Sequence, residues 1–263
     1  MTRLRVATWN VNSARLRQDQ ILRYLREAAP DALCLQEIKC RTELFPGEAF
    51  AALGYAHQAV RGQPGYNGVA ILSKHPLHDV ESQDFGRAGD ARHIAATMAQ
   101  GLRLHNFYIP AGGDLADPQA NPKFAHKLRF LEDLGEWSAK GAASSMAMGD
   151  FNIAPQEHDV WSHKALLDVV SHTPLETSTL DAIQAAGGWI DSARRFTPAH
   201  EKLYSWWSYR APDWAAADKG RRLDHLWLTP DLEGALNSVE IHRPARGWER
   251  PSDHVPVLVE IEI

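Results

Sequence analysis

The sequence predicts a layered α/β fold with β-sheet at its centre. Three observations carry that expectation. Short runs such as Ala32-Leu33-Cys34-Leu35 are apolar at every position, the signature of strands buried on both faces. Between such runs, apolar residues recur at helical spacing, as in Leu16, Ile21, Leu22, Leu25 and Ala28. Near the C-terminus, Val255, Val257, Val259, Ile261 and Ile263 recur with period two. Strands interleaved with helices in this way form layers around a sheet.

The elements follow in order. Arg5 to Thr8 is β-favouring and runs into Trp9-Asn10-Val11-Asn12, and Pro30 stops the helix that comes next. The apolar strand from Ala32 delivers Glu37 at its exit. Leu104 to Ile109 reads as a strand that places Tyr108 before a Pro-Ala-Gly-Gly-Asp loop. Phe124, Leu128, Leu131, Leu134 and Trp137 form a second helical stripe after Asn121-Pro122. Ser144 to Met148, small and apolar, is a buried strand leading to Gly149-Asp150-Phe151-Asn152-Ile153-Ala154-Pro155, where Pro155 forbids further regular structure. Ile183 and Ala186 precede a stop at Gly187-Gly188; Arg222 to Leu228 is a further strand, and Ser252-Asp253-His254 leads into the last.

With 263 residues, 44% of them hydrophobic, the chain can bury a large core, and we expect one domain over residues 1–263. No Gly/Ser-rich linker, charge run or repeat period divides it. No apolar stretch is long enough to span a bilayer, and Met1-Thr2-Arg3-Leu4-Arg5 lacks the apolar segment of a signal peptide. Cys34 and Cys40 are too few and too close for a disulfide framework and read as reduced thiols of a cytoplasmic protein. The thirteen histidines are scattered without zinc spacing; His254 alone sits in a motif, and most others read as surface or loop residues. A net charge of −5 is not that of a tight duplex binder. Local basic groups nevertheless fall mostly just after the polar strand ends: Arg15 and Arg17, Lys39 and Arg41, Lys123 with Lys127 and Arg129, Arg210, and Lys219-Gly220-Arg221-Arg222. Such a rim suits weak, scanning contact with DNA.

Alternate side chains of an extended strand share a face, so Asp150 and Asn152 are expected to point the same way, with Phe151 turned into the core. A carboxylate beside a carboxamide suits aiming or deprotonating a water and hydrogen-bonding an anionic oxygen. The other strand ends carry Asn10 and Asn12, Glu37, Tyr108, Asp224, and Asp253-His254. Six such ends predict one site where the strands converge. Leu203-Tyr204-Ser205-Trp206-Trp207-Ser208-Tyr209-Arg210 is rich in aromatics, which stack on sugars and bases. Alternation sends one of Trp206 and Trp207 inward.

Trp9-Asn10-Val11-Asn12, Leu35-Gln36-Glu37, Tyr108-Ile109-Pro110, Gly149-Asp150-Phe151-Asn152, Leu223-Asp224 and Ser252-Asp253-His254 occur in that order. From about Arg5 to the C-terminus, this set resembles the exonuclease III family of abasic-site endonucleases, part of the endonuclease/exonuclease/phosphatase group of folds. The resemblance implies a four-layer α/β sandwich, two packed mixed β-sheets flanked by helices, with its site where loops of both sheets meet at one edge. It also implies a Mg²⁺-dependent enzyme of base-excision repair, with Mn²⁺ as a substitute. Its substrate is double-stranded DNA, cut 5′ to abasic sites or trimmed at 3′ ends as a 3′→5′ exonuclease and 3′-phosphodiesterase or 3′-phosphatase.

A hard divalent ion takes oxygen ligands, including one or two carboxylates. Glu37 and Asp253 are the expected metal carboxylates, with Asn10 and Asn12 as amide partners; a second ion near Asp150, Asn152 and His254 accords with two-metal chemistry. Asp150 is assigned to aiming the nucleophilic water, and Asn152 to holding it or donating to a non-bridging oxygen. By the resemblance, Asp224 fixes the tautomer of His254, which binds the scissile phosphate; Tyr108 is a donor or a phenolate. Trp206 and Leu223 then line the sugar pocket and Arg210 enters the duplex. Three positions depart from the family pattern: Asn12 where members often carry aspartate, Ala111 where many carry asparagine, and Arg221 where some carry a pocket aromatic.

Two other readings stand beside this one. A related phosphodiesterase acting on lipid headgroups or inositol phosphates lacks, here, a membrane-directed apolar loop. A DNA-binding protein without catalysis has no physical need for so many converging carboxylates, which repel phosphate. We expect a monomer.

Overall fold

A computed structural model describes residues 2–211 and 213–263. Its strands are β1 (Arg3–Asn10), β2 (Ala32–Gln36), β3 (His57–Arg61), β4 (Val69–Ser73), β5 (Leu77–Glu81), β6 (His93–Met98) and β7 (Arg103–Tyr108). They continue as β8 (Ser145–Asp150), β9 (Ile190–Asp191), β10 (Trp206–Trp207), β11 (Gly220–Arg221), β12 (Asp224–Leu228), β13 (Leu236–Ile241) and β14 (Val257–Glu262). The helices are α1 (Gln18–Glu27), α2 (Gly47–Ala51), α3 (Pro122–Ser138), α4 (His163–Leu166), α5 (Pro174–Gly187), α6 (Ser192–Phe196) and α7 (Trp214–Ala217).

Strands buried along their whole length, such as β2, β4, β8 and β12, need cover on both faces. Two six-stranded sheets supply it, ordered β13-β14-β1-β2-β4-β3 and β5-β6-β7-β8-β12-β9. In each sheet one central pair is parallel, β1 with β2 and β7 with β8, while the neighbouring pairs run antiparallel. The inner faces meet through Val6, Cys34, Ile71 and Val259 from one sheet and Ala96, Leu104, Met148 and Leu226 from the other. On the outer face of the first sheet lie Ile21, Tyr24 and Leu25 of α1 with Phe50 of α2. The second sheet is covered by Phe130, Leu131 and Leu134 of α3 and by Leu180 and Ile183 of α5. The result is the predicted four-layer sandwich of two mixed sheets flanked by helices.

Local signals set the helix ends. The Asn121 side chain caps α3 by accepting from the Lys123 N–H, with Pro122 in the first turn. Thr173 and Glu176 form a reciprocal capping box at the start of α5, and Gly188 ends it at φ 66°. Leu16 lies outside α1 and is exposed. The period-two signal of β14 holds on its inner face through Val257, Val259 and Ile261, but Leu258 is buried too, in the outer layer. Both cysteines are free and buried. Among the described residues no helix is long and apolar enough to cross a membrane.

Three residues of the expected basic rim are instead buried, Arg17 among them, where it donates to the Asn12 and Pro251 carbonyls. Lys127 ion-pairs with Glu176 at 2.5 Å, both fully buried. Arg222 is held by Asp159 and Asp191 at 2.8 and 2.6 Å. Four of the scattered histidines are also interior: His93, His105, His172 and His225.

Candidate active site

Strand register brings the polar ends together. Tyr108, ending β7, is the parallel partner of Asp150, ending β8; Asp224, starting β12, pairs with Asp150 from the other side. In the facing sheet Asn10 ends β1 opposite Gln36 of β2, and Glu37 follows. Just behind this edge, Gln36 Nε2 donates to Asn106 Oδ1 at 2.7 Å, and Asn106 Nδ2 donates to the Leu35 and Ala70 carbonyls at 2.9 Å. A buried amide contact thus fixes one sheet against the other where the site forms.

Beyond the strands the chain turns through left-handed residues: Asn12 at φ 46°, Glu37 at 52°, Lys39 at 51° and Asn152 at 54°. Asparagine tolerates this region, whereas it costs Glu and Lys about 1 kcal/mol or more each. This corrects the expectation from strand alternation. Asp150 is the last strand residue, and Asn152 comes back to it through the left-handed turn. The Asn152 backbone N–H donates to Asp150 Oδ1 at 2.9 Å and its Nδ2 to Oδ2 at 3.0 Å. Phe151 is buried as expected. Gly149 sits at φ 136°, where an added Cβ would lie 1.9 Å from the Phe107 carbonyl oxygen. Only glycine permits β8 to reach the site along this path.

Asn10 Nδ2 donates to Glu37 Oε1 at 3.0 Å and Asp150 Oδ2 at 2.9 Å, while its oxygen accepts from the Asn12 N–H at 3.0 Å. Its nitrogen therefore faces the carboxylates. Tyr108 donates to Glu37 Oε1 at 2.7 Å. Burial, then the Glu37 and Asp150 charges, push the Tyr108 pKa well above its ordinary value, and its hydroxyl is the donor in the contact with Glu37. Burial alone raises Glu37, but the Lys39 ammonium and the Asn10 and Tyr108 donors outweigh it and hold the carboxyl below the ordinary value. Lys39 Nζ lies 2.6 Å from Glu37 Oε2 and 2.6 Å from Asn12 Oδ1.

His254 Nδ1 is 2.8 Å from Asp224 Oδ2, and its Nε2 is 3.7 Å from Asp150 Oδ2. Burial opposes charging the ring, yet the Asp224 and Asp150 carboxylates prevail and raise its pKa to about 10. His254 is thus an imidazolium whose Nδ1–H donates to Asp224. Burial raises Asp150 to about 7, with His254 opposing and Asp224 reinforcing the shift. Ser205 Oγ donates to Asp224 Oδ2 at 2.6 Å and accepts the Leu223 and Asp224 N–H groups at 3.1 and 3.0 Å. Asp253 accepts from Trp206 Nε1 at 2.9 Å and from Asn12 Nδ2 at 3.4 Å.

These groups open onto a cavity of about 840 Å³. Glu37, Tyr108, Asp150, Asn152, Asp253 and His254 line it, as do Trp206, Arg210 and Leu223. Asn10 and Asp224 hold the others from behind. Trp206 is partly exposed at the cavity, while Trp207, which borders the same cavity, is buried against Tyr204, Ala245 and Val255. Sequence reasoning missed Ser205, since a loop hydroxyl carries no spacing signal; only its place directly before Trp206 could have drawn attention. It also missed the ties that seat His254. Trp9 Nε1 donates to its carbonyl at 3.0 Å, and Ser252 Oγ accepts its N–H at 3.2 Å while donating to the Asn10 carbonyl at 2.7 Å.

Asp150, Asp224 and His254 offer ligand-type atoms within 4.8 Å of one another. The Asp224–His254 pair is already matched internally, leaving Asp150 and the Nε2 side toward the cavity. On the Glu37 and Asp253 side the available donors are oxygens, and the Lys39 ammonium bridges Glu37 and Asn12 there. An edge that stabilises positive charge with oxygen donors fits a hard divalent cation.

A two-sheet sandwich with carboxylates, amides and an imidazolium gathered at one edge is the arrangement of a known group, and residues 7–254 match it: the chain belongs to the Endonuclease/Exonuclease/phosphatase family. Within that family its relatives are of the exonuclease III and AP endonuclease kind. It is 29% identical to exodeoxyribonuclease III of Haemophilus influenzae over 98% of this chain and 100% of that protein. Its fold superposes on an AP endonuclease from Archaeoglobus fulgidus with a TM-score of 0.92 and 31% identity, covering 99% and 100% of the two chains. The 3′ phosphatase NExo from Neisseria, solved bound to a product DNA hairpin, gives a TM-score of 0.91 and 32% identity with the same coverage.

Proposed function

We propose that this chain is a Mg²⁺-dependent DNA repair nuclease that hydrolyses the phosphodiester 5′ to abasic sites and removes nucleotides or blocking groups from 3′ ends. The observation that supports it most is the His254 ring, fixed by Asp224 and set beside Asp150 and Asn152 at the wall of a cavity, where the two carboxylates favour its charged form. Such a group donates to a non-bridging phosphate oxygen and stabilises the negative charge that builds up during attack. Asp150, raised toward neutrality by burial, is placed to aim a water and take its proton. Asn152, held by Asp150 and by the Ile109 carbonyl at 2.8 Å, orients that water. Tyr108, a phenol, donates to Glu37 and steadies it.

Glu37 and Asp253 are the carboxylates we assign to the divalent ion, with Mn²⁺ as a substitute; Asn10 keeps Glu37 and Asp150 in place from behind. When bound there, the ion would supply charge neutralisation for the scissile phosphate and the leaving 3′-oxygen. A second seat at Asp150, Asn152 and His254 is less favoured, because an imidazolium repels a cation. Trp206 and Leu223 wall the space for a baseless sugar, and Arg210 contacts the duplex. The reading includes a cytoplasmic monomer. A binder without catalysis leaves the surplus carboxylates unexplained.

The test is incision of a duplex carrying one abasic analogue, with Mg²⁺ and with EDTA, beside a recessed 3′ end. Metal-dependent cleavage 5′ to the lesion is expected. Cleavage of neither duplex redirects the assignment to other phosphodiesters.

A further inference from the structure

Arg221 and Arg222 are adjacent in sequence and opposite in circumstance. Arg222 is fully buried and matched by carboxylates on every side of its guanidinium, with Asp159 at 2.8 and 2.9 Å and Asp191 at 2.6 Å. Arg221 lines the active-site cavity, its guanidinium 5.3 Å from the ring centroid of its strand partner Trp206. Its NH1 donates to Ser171 Oγ at 2.8 Å and the Val170 carbonyl at 3.3 Å, and its Nε is buried without a partner. Among the described residues no carboxylate lies within ion-pair distance of it. A largely enclosed cation with only neutral partners is costly to maintain.

The side chain is nevertheless held in place from the core outward. Ser171 adopts φ 88°, and its N–H donates to both Glu176 oxygens at 3.0 and 2.9 Å; Glu176 in turn is paired with buried Lys127. A strained residue tied into a buried ion pair thus fixes the acceptor for Arg221 NH1. The guanidinium is preorganised against Trp206 with no carboxylate in contact; the one carboxylate whose charge reaches it, Glu176, is already paired with Lys127.

We propose that Arg221 is a specificity-determining residue which fits this pocket for anionic groups at a DNA 3′ end, a terminal phosphomonoester or a phosphate-linked carboxylate, in preference to a neutral abasic sugar. The inference rests on the nuclease reading above and names the substrate class of that same site. A phosphomonoester dianion or a carboxylate gives the guanidinium the missing partner through charge-assisted hydrogen bonds, whereas an internal baseless sugar is itself neutral and is flanked only by phosphodiester monoanions. In hydrolysis of the monoester, water adds to phosphorus and loses a proton. The P–O3′ bond breaks with its electron pair on the 3′-oxygen, which takes up a proton; the products are a 3′-hydroxyl and inorganic phosphate.

The test compares kcat/KM of the full chain, Arg221→Gln and Arg221→Lys on three duplexes: a recessed 3′-phosphate, a recessed 3′-phosphoglycolate, and an internal tetrahydrofuran abasic analogue. Glutamine can keep the donor to Ser171 without the charge. The ratio of either anionic end to the abasic analogue is expected to fall roughly tenfold or more in Arg221→Gln, chiefly through KM, and to recover in Arg221→Lys. The two anionic arms show whether phosphate or carboxylate supplies the charge. Equal losses on all three duplexes make Arg221 a structural residue and overturn the proposal, as does an unchanged ratio. Wild-type protein that cuts none of these duplexes overturns the nuclease reading itself, and this inference with it.

Discussion

Two groups of enclosed charges in this molecule each combine carboxylates with cations and behave oppositely. In one, Arg222 and Arg194 surround Asp159, with Asp191 completing the set; two guanidiniums meet two carboxylates at 2.5 to 2.8 Å. Burial alone raises Asp159, but Arg222 and Arg194 hold its pKa below the ordinary value. In the other, Glu37, Asp150 and Asp224 share one ammonium from Lys39 and one imidazolium from His254. There the carboxylates are in surplus, Asp150 is pushed up rather than down, and the group opens onto the cavity. The lesson concerns balance rather than composition. A matched buried cluster holds loops together, and an unmatched one facing a cavity leaves charge for a ligand to complete.

The sharpest way to break the comparison is at Asp150. Asp150→Asn should lower single-turnover incision by about three orders of magnitude, within the range for a lost general base. DNA affinity should hold or rise, because a carboxylate that repels phosphate is gone. Parallel losses in anisotropy-measured binding and in turnover would count against its catalytic role. Arg222→Met should act on stability instead, removing about 3 kcal/mol in urea unfolding by stranding Asp191 and leaving Asp159 with Arg194 alone. The Mg²⁺ dependence of the molecules that stay folded should not move; a shifted dependence would mean that the two groups are not independent.

The histidines sharpen the same contrast with a smaller effect. His254 is charged, whereas burial lowers His105 to about 3 and His225 to about 4, and holds His93 well below its ordinary value. Those three stay neutral in the folded protein while the unfolded chain takes up protons below about pH 6.5. The unfolded state then binds more protons, so stability falls as pH drops below 6.5, by about 1.4 kcal/mol per pH unit for each such histidine. His105→Phe, at a position already packed against Phe107 and Trp137, should remove one histidine's share of the slope of unfolding free energy between pH 6 and 5. An unchanged slope would show that His105 is not buried neutral.

The fold was legible because several central strands, such as β2 and β4, are almost wholly apolar and strand exits carry the polar residues, although β7 and β12 also bury His105, Asn106 and His225. Ala32 to Leu35 and Ser144 to Met148 could only be interior strands, and Glu37 and Asp150 follow from where they end. The meeting of Asp150 with Asn152 was expected for the wrong reason, since periodicity cannot see a left-handed turn. Lys127 and Arg222 read as surface because a charge becomes interior only through partners distant in the chain, here Glu176, Asp159 and Asp191. Ser205 was invisible for the same reason, its significance lying wholly in a contact with Asp224. Arg221 was legible as a departure from a pattern, but its missing counter-charge needed the geometry.

The central claim is that the carboxylate surplus at the cavity exists to receive a divalent ion, and Glu37 tests it most directly. Incision of an abasic duplex should be measured under single turnover across a Mg²⁺ titration from EDTA to saturation, for wild type and Glu37→Gln. The account predicts no wild-type incision in EDTA and a half-saturating Mg²⁺ concentration roughly tenfold or more higher in the variant, with DNA binding retained. Superimposable titrations, or wild-type incision that persists in EDTA, would contradict it.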